Sequence, residues 1–353
     1  MGHLSTKRCG HGHTVRSATH QSHLTNSPLP PAPCPALDPA GVLQFVVNAK
    51  SGHNDQDASR LAIDAALQAS GRRAVFHAAR PGALARVAQQ AAQAALAQRS
   101  AVVAVGGDGT INTVAQTAHA LGCPMGVVPQ GTFNYFGRTH GIPTDAGLAT
   151  QALLAAQPAA VQLGLINDQV FLVNASLGLY PDLLQDREAF KARFGRNRLV
   201  ALAAAVSTVL GRHRTLRLRI ETRDGAQDVR TLTLFVGNNQ LQLAQVGLPE
   251  AGAIAQGQIA AVVLRPIGTL ALLGLMLRGA LGTLGDAPTV DSFQCQRLRV
   301  SHQHGWAGRR IKVAYDGEVG RMATPLLFQV SPRPLYLLKP APEAAGGAPL
   351  DAP

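Results

Sequence analysis

Aromatic side chains are scarce: Phe, Tyr and Trp make up 4% of the 353 residues. Base-stacking platforms need such rings beside basic groups, so nucleic acid is a poor partner for this chain. Acidic residues are also few, 20 against 32 Lys and Arg, leaving a formal charge of +12. That excess points to an anionic partner, and a membrane surface or a nucleotide ranks above nucleic acid. Cys9, Cys34, Cys123 and Cys295 stand far apart with no CxxC pair. Neither a disulfide framework nor a zinc site fits that spacing, whereas a reducing cytoplasm does. No apolar run reaches the ~20 residues of a membrane-spanning helix. Leu199–Leu210 and Leu270–Leu277 come nearest. Both read as buried core helices, with shallow insertion at a membrane interface as the lesser reading. No apolar stretch of the signal-peptide kind is present.

What remains is long enough for two domains. Apolar residues make up 46% of the chain, and 36 glycines accompany many alanines. Cores built this way use small side chains and close backbones. Residues 1–38 are rich in His, Ser, Thr and Pro and predict a disordered tail. The Pro/Ala/Gly-rich end, residues 340–353, predicts another.

Between the tails, strand and helix patterns alternate at first. Val42–Asn48, Ala74–His77, Ala101–Val105 and Met125–Val128 read as strands. Ala58–Ala69, Gly82–Arg99 and Ile111 to about Ala120 read as helices between them. This rhythm predicts an α/β nucleotide-binding domain over residues 41–165, a parallel sheet with flanking helices. From residue 166 to 335 the pattern turns β-rich and predicts a sandwich. Its strands are Phe171–Ala175, Thr215–Thr222, Thr231–Gly237, Gln258–Leu264, Arg297–Ser301 and Arg310–Tyr315. Helical stretches fall at 183–211 and 266–284.

The chemistry concentrates where strands end. The stretch Ala101 to Asn112 contains a buried strand, then Gly106-Gly107-Asp108-Gly109-Thr110, then a helix. Free N–H groups at such a helix start accept an anion, and glycines let a phosphate come close. No Gly-Lys-Ser/Thr follows, so this is not a Walker A loop, and Asn112 spoils the dinucleotide fingerprint. Asp108 would repel phosphates unless a cation or a proton lies between, which suggests Mg²⁺-linked phosphoryl transfer. The plain structural reading makes Asp108 a helix cap. A second turn, Pro129-Gln130-Gly131-Thr132-Phe133-Asn134, again follows a strand. Thr132 is placed to donate to a phosphate and Asn134 to position one. Ligands of α/β sheets bind beyond the carboxyl ends of the strands, where both turns would lie. Asn48 to Gly52 ends the first strand with small and polar residues. Asp316-Gly317-Glu318 presents two acids around a glycine; taken alone it reads as an exposed hairpin turn.

Together these segments resemble the diacylglycerol kinase and sphingosine kinase superfamily, from about Gly41 to about Ser331. The resemblance implies a phosphofructokinase-like α/β domain, a β-sandwich that holds lipid, and an active site between them. It implies an ATP-dependent lipid kinase acting on diacylglycerol or a related membrane lipid. Such a protein would be cytoplasmic and peripheral to the membrane's inner face, with a homodimer allowed. Asn48, Gly106, Gly107, Asp108, Gly109, Thr110, Asn112, Gly131, Thr132 and Asn134 would surround ATP. Glu318 would be the base, Asp316 would support Mg²⁺, and Asp108 is an alternative proton acceptor. Arg198, in a basic cluster with Lys191, Arg193 and Arg196, stands where relatives contact phosphate; a solvated helix face explains the cluster as well. Gly247 to Glu250 resembles a structural magnesium loop, with Glu250 in place of the usual Asp and the following acids missing. Thr113 and Tyr135 also replace acids common in the family. Two other readings remain. One is a kinase of a soluble substrate such as NAD, whose Asn-Asp/Glu ribose grip is missing here. The other is a non-catalytic nucleotide or lipid sensor.

Overall fold

The computed structural model describes residues 34–48, 53–80, 82–182, 184, 214–303, 308 and 310–340. The His-rich start, Lys50-Ser51-Gly52, the basic cluster with Arg198, most of the expected helix at 183–211 and the 341–353 tail lie outside them.

Five short apolar runs open the chain's first layer. They are β1 (Leu43–Asn48), β2 (Ala74–Ala79), β3 (Val102–Gly106), β4 (Met125–Pro129) and β5 (Gln157–Val161). β3 and β4 are buried along their whole length, as strands covered on both faces must be. The sheet order is β2-β1-β3-β4-β18-β5, where β18 is Leu335–Lys339 from the far end of the chain. β18 runs parallel to β4, and β5 runs antiparallel to β18, so the expected parallel sheet is mixed at one edge. Leu335 to Leu338 are all buried there. A strand that closes the gap between β4 and β5 carries no sign of its destination, because an apolar run looks the same in either sheet.

The intervening helices are α1 (His53–Ser70), α2 (Leu84–Ala97), α3 (Asp108–Leu121), α4 (Tyr135–Thr139) and α5 (Ala146–Ala155). α2 buries Ala88, Ala91, Ala92 and Ala95 at helical spacing. Methyl-sized side chains bring its axis close to β1 and α3, which explains the alanine-rich composition.

The rest is a pair of six-stranded sheets with antiparallel pairing throughout. One has the order β10-β9-β14-β17-β6-β7. Its strands are β6 (Gly164–Ile166), β7 (Gln169–Phe171), β9 (Leu216–Thr222), β10 (Gly225–Thr231), β14 (Arg297–His302) and β17 (Leu326–Val330). The other has the order β13-β12-β11-β8-β15-β16. It is formed by β8 (Asn174–Gly178), β11 (Thr233–Gly237), β12 (Ile259–Leu264), β13 (Val290–Cys295), β15 (Arg310–Tyr315) and β16 (Glu318–Ala323). Leu218 and Ile220 of β9 point into the core while Arg217 and Arg219 face solvent, the period-two pattern of a half-exposed strand. Leu177, Leu234, Val313 and Phe328 join them between the sheets. The outer face of the second sheet carries α6 (Gln240–Gln245), a 3₁₀ turn (Pro249–Gln256) and α7 (Thr269–Ala280).

Two expected strands divide. Phe171–Ala175 is the end of β7 and the start of β8, with Leu172-Val173 between, and Thr231–Gly237 breaks at Leu232. The apolar pattern is continuous across both breaks because the linking residues are themselves buried. The described residues fall within one compact unit.

Candidate active site

Gly107 is the N-cap of α3, extended at φ −78° and ψ 180°, and it makes no side-chain cap bond. Asp108 is thus the first helical residue, not the cap. The Gly107 carbonyl accepts from the N–H groups of Thr110 and Ile111 at 2.9 and 3.1 Å. A Cβ on Gly106 would stand 2.8 Å from Thr110 Oγ1, so only glycine lets the strand meet the helix this closely.

The second turn is laid against the first, backbone to backbone. Gln130 N–H donates to Gly106 O at 2.9 Å. A Cβ on Gly131 would lie 3.1 Å from Gly107 Cα and 2.7 Å from Asn134 Oδ1. Asn134 sits in the left-handed region at φ +48°. Its side chain accepts from Gly131 N–H at 2.8 Å and donates to Gly131 O at 2.9 Å. These bonds use Asn134 to close its own loop, which corrects its expected place as a phosphate-positioning group. Thr132 is exposed at the tip of that loop, beside Phe133, whose ring stacks on Tyr135 at 5.8 Å. Asn48, at the end of β1, donates to Thr110 Oγ1 at 3.2 Å. The ends of β1, β3 and β4 therefore converge on one carboxyl edge, as the sequence pattern predicts.

Asp108 is the anomaly in this edge. Its Oδ1 is buried and has no hydrogen-bond partner among the described residues. Burial lifts the carboxyl above the ordinary aspartate range, and the Asn134 N–H and its own N–H offset part of that rise. A native carboxylate oxygen left unpaired in an enclosed place calls for a partner such as a cation or a hydroxyl proton.

The late acidic motif arrives from the other half of the chain. It is the hairpin turn between β15 and β16, with Asp316 at φ +45° and Gly317 at φ +89°. The Asp316 carboxylate accepts from Leu172 N–H at 2.6 Å, Val173 N–H at 2.8 Å, Asn174 N–H at 3.0 Å and Asn112 Nδ2 at 2.7 Å. Burial pushes its pKa up, while those four donors pull it down; the net direction is upward. Four donors occupy its lone pairs, so it is not an open metal ligand. The expected Mg²⁺ and catalytic roles of Asp316 are corrected to that of a clasp. Asn112 joins that clasp. It is buried, and its Nδ2 donates to Asp316 and to Val170 O at 3.0 Å, which gives it a part in holding the turn.

Held by that clasp, Glu318 is exposed and reaches across to α3. Its Oε1 lies 3.4 Å from where a Cβ of Gly109 would stand. Asp108 and Glu318 thus come to the same first turn of α3 from opposite halves of the chain. Glu250 lies elsewhere, in the 3₁₀ turn packed on β12 and β13, with Oε2 buried and unpartnered among the described residues. Among the described residues no group of three His, Cys, Asp or Glu could hold a metal. This does not support the expected role of Glu250 as a metal ligand.

Asn239 was missed in the sequence. It caps α6 by accepting from Gln242 N–H at 2.9 Å. It also ties α4 to the β-rich half, donating to Tyr135 O at 3.2 Å and accepting from Thr139 Oγ1 at 3.0 Å. The signal was present as an Asn immediately before a short helix, a common cap position.

Residues 42–166 match the family model of the diacylglycerol kinase catalytic domain. A protein of Serratia proteamaculans named "Probable lipid kinase YegS-like" is 31% identical over 150 residues, 41% of this chain and 45% of that one. One of the same name from Enterobacter is 37% identical over 81 residues, 22% of this chain and 27% of its own. The matched stretches thus span less than half of these relatives. A crystal structure of a diacylglycerol kinase from Bacillus anthracis superposes with a TM-score of 0.63 at 17% identity, covering 86% of this chain and 98% of that one. At that identity the likeness establishes the fold.

Proposed function

We propose that this chain, whose residues 42–166 match the diacylglycerol kinase catalytic domain, is a member of that superfamily and an ATP-dependent lipid kinase. It transfers the γ-phosphoryl group to a hydroxyl of diacylglycerol or a related membrane lipid. The observation that carries this reading is the unpartnered, enclosed Asp108 oxygen at the meeting of two glycine turns. A Mg²⁺–triphosphate would fit there, because bare glycine backbone admits the phosphates and Asp108 would hold the cation. Mg²⁺, when bound, would neutralise charge that builds on the transferring phosphoryl group.

The chain's own residues supply the rest. Gly107 and Gly131 leave the space that a side chain would fill. The start of α3 offers helix-terminal N–H groups to the phosphates. Glu318 takes the proton of the acceptor hydroxyl, being exposed and held opposite Gly109. Asp316 positions it by locking the turn. A lipid hydroxyl is a weak acid, so the carboxylate accepts its proton late in the transfer. The acceptor resides in a bilayer, so the protein works at a membrane surface. No helix of the described residues is long and apolar enough to cross one.

The test is phosphate transfer from labelled ATP to vesicles of extracted lipid. Glu318→Gln should keep nucleotide binding and melting temperature and lose transfer by roughly 10²–10⁴-fold. Full-speed transfer by both Glu318→Gln and Asp108→Asn would refute the assignment of the site. Phosphorylation of NAD and of no lipid would refute the substrate class.

A further inference from the structure

The helix α7, Thr269-Leu-Ala-Leu-Leu-Gly-Leu-Met-Leu-Arg-Gly-Ala280, has two apolar faces where a surface helix ordinarily has one. One face is accounted for. Leu272 and Leu275 are buried with Leu179, Leu232, Leu264 and Ala287, and Leu273 and Met276 pack beside them. The other face presents Leu270 and Leu277, continued by Leu281 at the C-cap, at 84%, 62% and 69% exposure. At about 100° per residue, these three fall within roughly 40° of one another around the axis. Single exposed leucines are ordinary, but an aligned row of three calls for a partner.

The charges nearby narrow the choice. From Gly268 to Gly285 the only charged residue is Arg278, on the flank of the exposed row, and no acid occurs. Arg265, just before the helix, is neutralised by a bidentate pair with Asp291 at 2.7 Å. Asp286 follows in the next turn. An apolar ridge with one long basic side chain at its flank suits a lipid monolayer, into which leucines insert while the guanidinium reaches the phosphates. A second copy of the chain is a poorer occupant. Three leucines offer on the order of 400 Å², about half of what one partner gives to a standard protein interface.

We propose that α7 is a membrane-docking element that lays Leu270, Leu277 and Leu281 into the apolar boundary of a lipid bilayer. This deepens the lipid-kinase reading and rests on it for its purpose. Binding to vesicles is nevertheless measured without turnover, so the two can fail separately.

The experiment uses the full chain and vesicles of phosphatidylethanolamine and phosphatidylglycerol. In a background with Cys9 and Cys34 replaced by serine, Leu277→Cys carries an environment-sensitive dye. Leu61→Cys, at a leucine of α1 that is 70% exposed, serves as reference. Vesicles should blue-shift the dye at 277 and leave the dye at 61 unmoved. Combined Leu270→Ser, Leu277→Ser and Leu281→Ser should weaken co-sedimentation at least tenfold with an unchanged melting temperature. No shift at 277, equal shifts at both positions, or undiminished co-sedimentation would overturn the proposal. So would a dimer in light scattering that the serine variant splits while vesicle binding persists. Docking without any lipid phosphorylation would leave α7 its role and remove the kinase reading. Lipid phosphorylation in detergent micelles with no shift at 277 would do the reverse.

Discussion

Asn112 donates a 2.7 Å hydrogen bond to Asp316, joining helix α3 to a hairpin turn 204 residues later. The same carboxylate gathers the N–H groups of Leu172, Val173 and Asn174, the segment by which the chain passes from β7 to β8. One side chain thus fixes three pieces of backbone, and Glu318 inherits its place from that arrangement.

If Asp316 is a clasp, Asp316→Ala should cost at least ~3 kcal/mol, because it leaves three backbone donors and Asn112 without an acceptor. Asn112→Ala should cost less. The double variant should be more stable than the sum predicts, with a coupling of about 1–3 kcal/mol in urea unfolding. Strict additivity would show that the two residues do not act together.

Asp108 should be held at a cost to stability. Its folded pKa is raised by burial, so its contribution favours folding only when it is protonated. That contribution is complete below the unfolded value and is lost as pH rises through the folded one. Asp108→Asn should therefore melt higher than the parent at pH 7 while losing phosphate transfer. The gap should close as pH falls below the ordinary aspartate value of about 3.9. A variant that melts lower at pH 7 would contradict the orphaned carboxylate.

The two glycines separate fold from function. A methyl at Gly131 would meet Asn134 Oδ1 at 2.7 Å and the Gly107 backbone at 3.1 Å. Gly131→Ala should cost about 1–3 kcal/mol and weaken ATP binding together with it. At Gly109 the nearest atom is Glu318 Oε1 at 3.4 Å, an ordinary contact. Gly109→Ala should melt no lower than the parent, since alanine favours a helix by ~0.5–1 kcal/mol. It should nevertheless slow transfer, because the methyl covers backbone that the phosphates would approach beside Glu318. Calorimetry and nucleotide titration check both.

His140 gives a pH signature at the other end of α4. Burial first, and Lys339 second, lower its pKa to about 4. A histidine buried neutral stabilises fully above its unfolded value near 6.5, and that stability is lost as pH falls through the folded value. The parent should lose on the order of 3 kcal/mol between about pH 6.5 and 4, a slope that His140→Gln should flatten. Its edge-on contact with Phe136, at 4.7 Å between ring centres, would be lost in the same variant. A constant penalty with no change of slope would mean that only packing is involved.

The strand ends were legible because local pattern suffices for them. A run such as Val102–Gly106 followed by a glycine turn and a polar helix start can hardly be anything else, and Asn48, Thr110 and Gly131 fell where the pattern put them. The same pattern did not show the bonds that Asn112, Asn134 and Asp316 make inside the fold. A polar side chain in a motif looks equally apt for a ligand or for the backbone of its own protein. Asn134 found its partner three residues away, Asp316 more than 140 residues away.

The amino-acid sequence by itself determined the alternating α/β half, the β-rich half and the two glycine turns, since these follow from periodicity and from residues that only certain backbones tolerate. Only the tertiary structure decided that Leu335–Lys339 closes the first sheet, that Asp316 is consumed as a clasp, and that Glu318 faces Gly109. Those outcomes depend on which distant groups compete for the same lone pairs and the same apolar gap, and contacts across hundreds of residues leave no local trace in the chain.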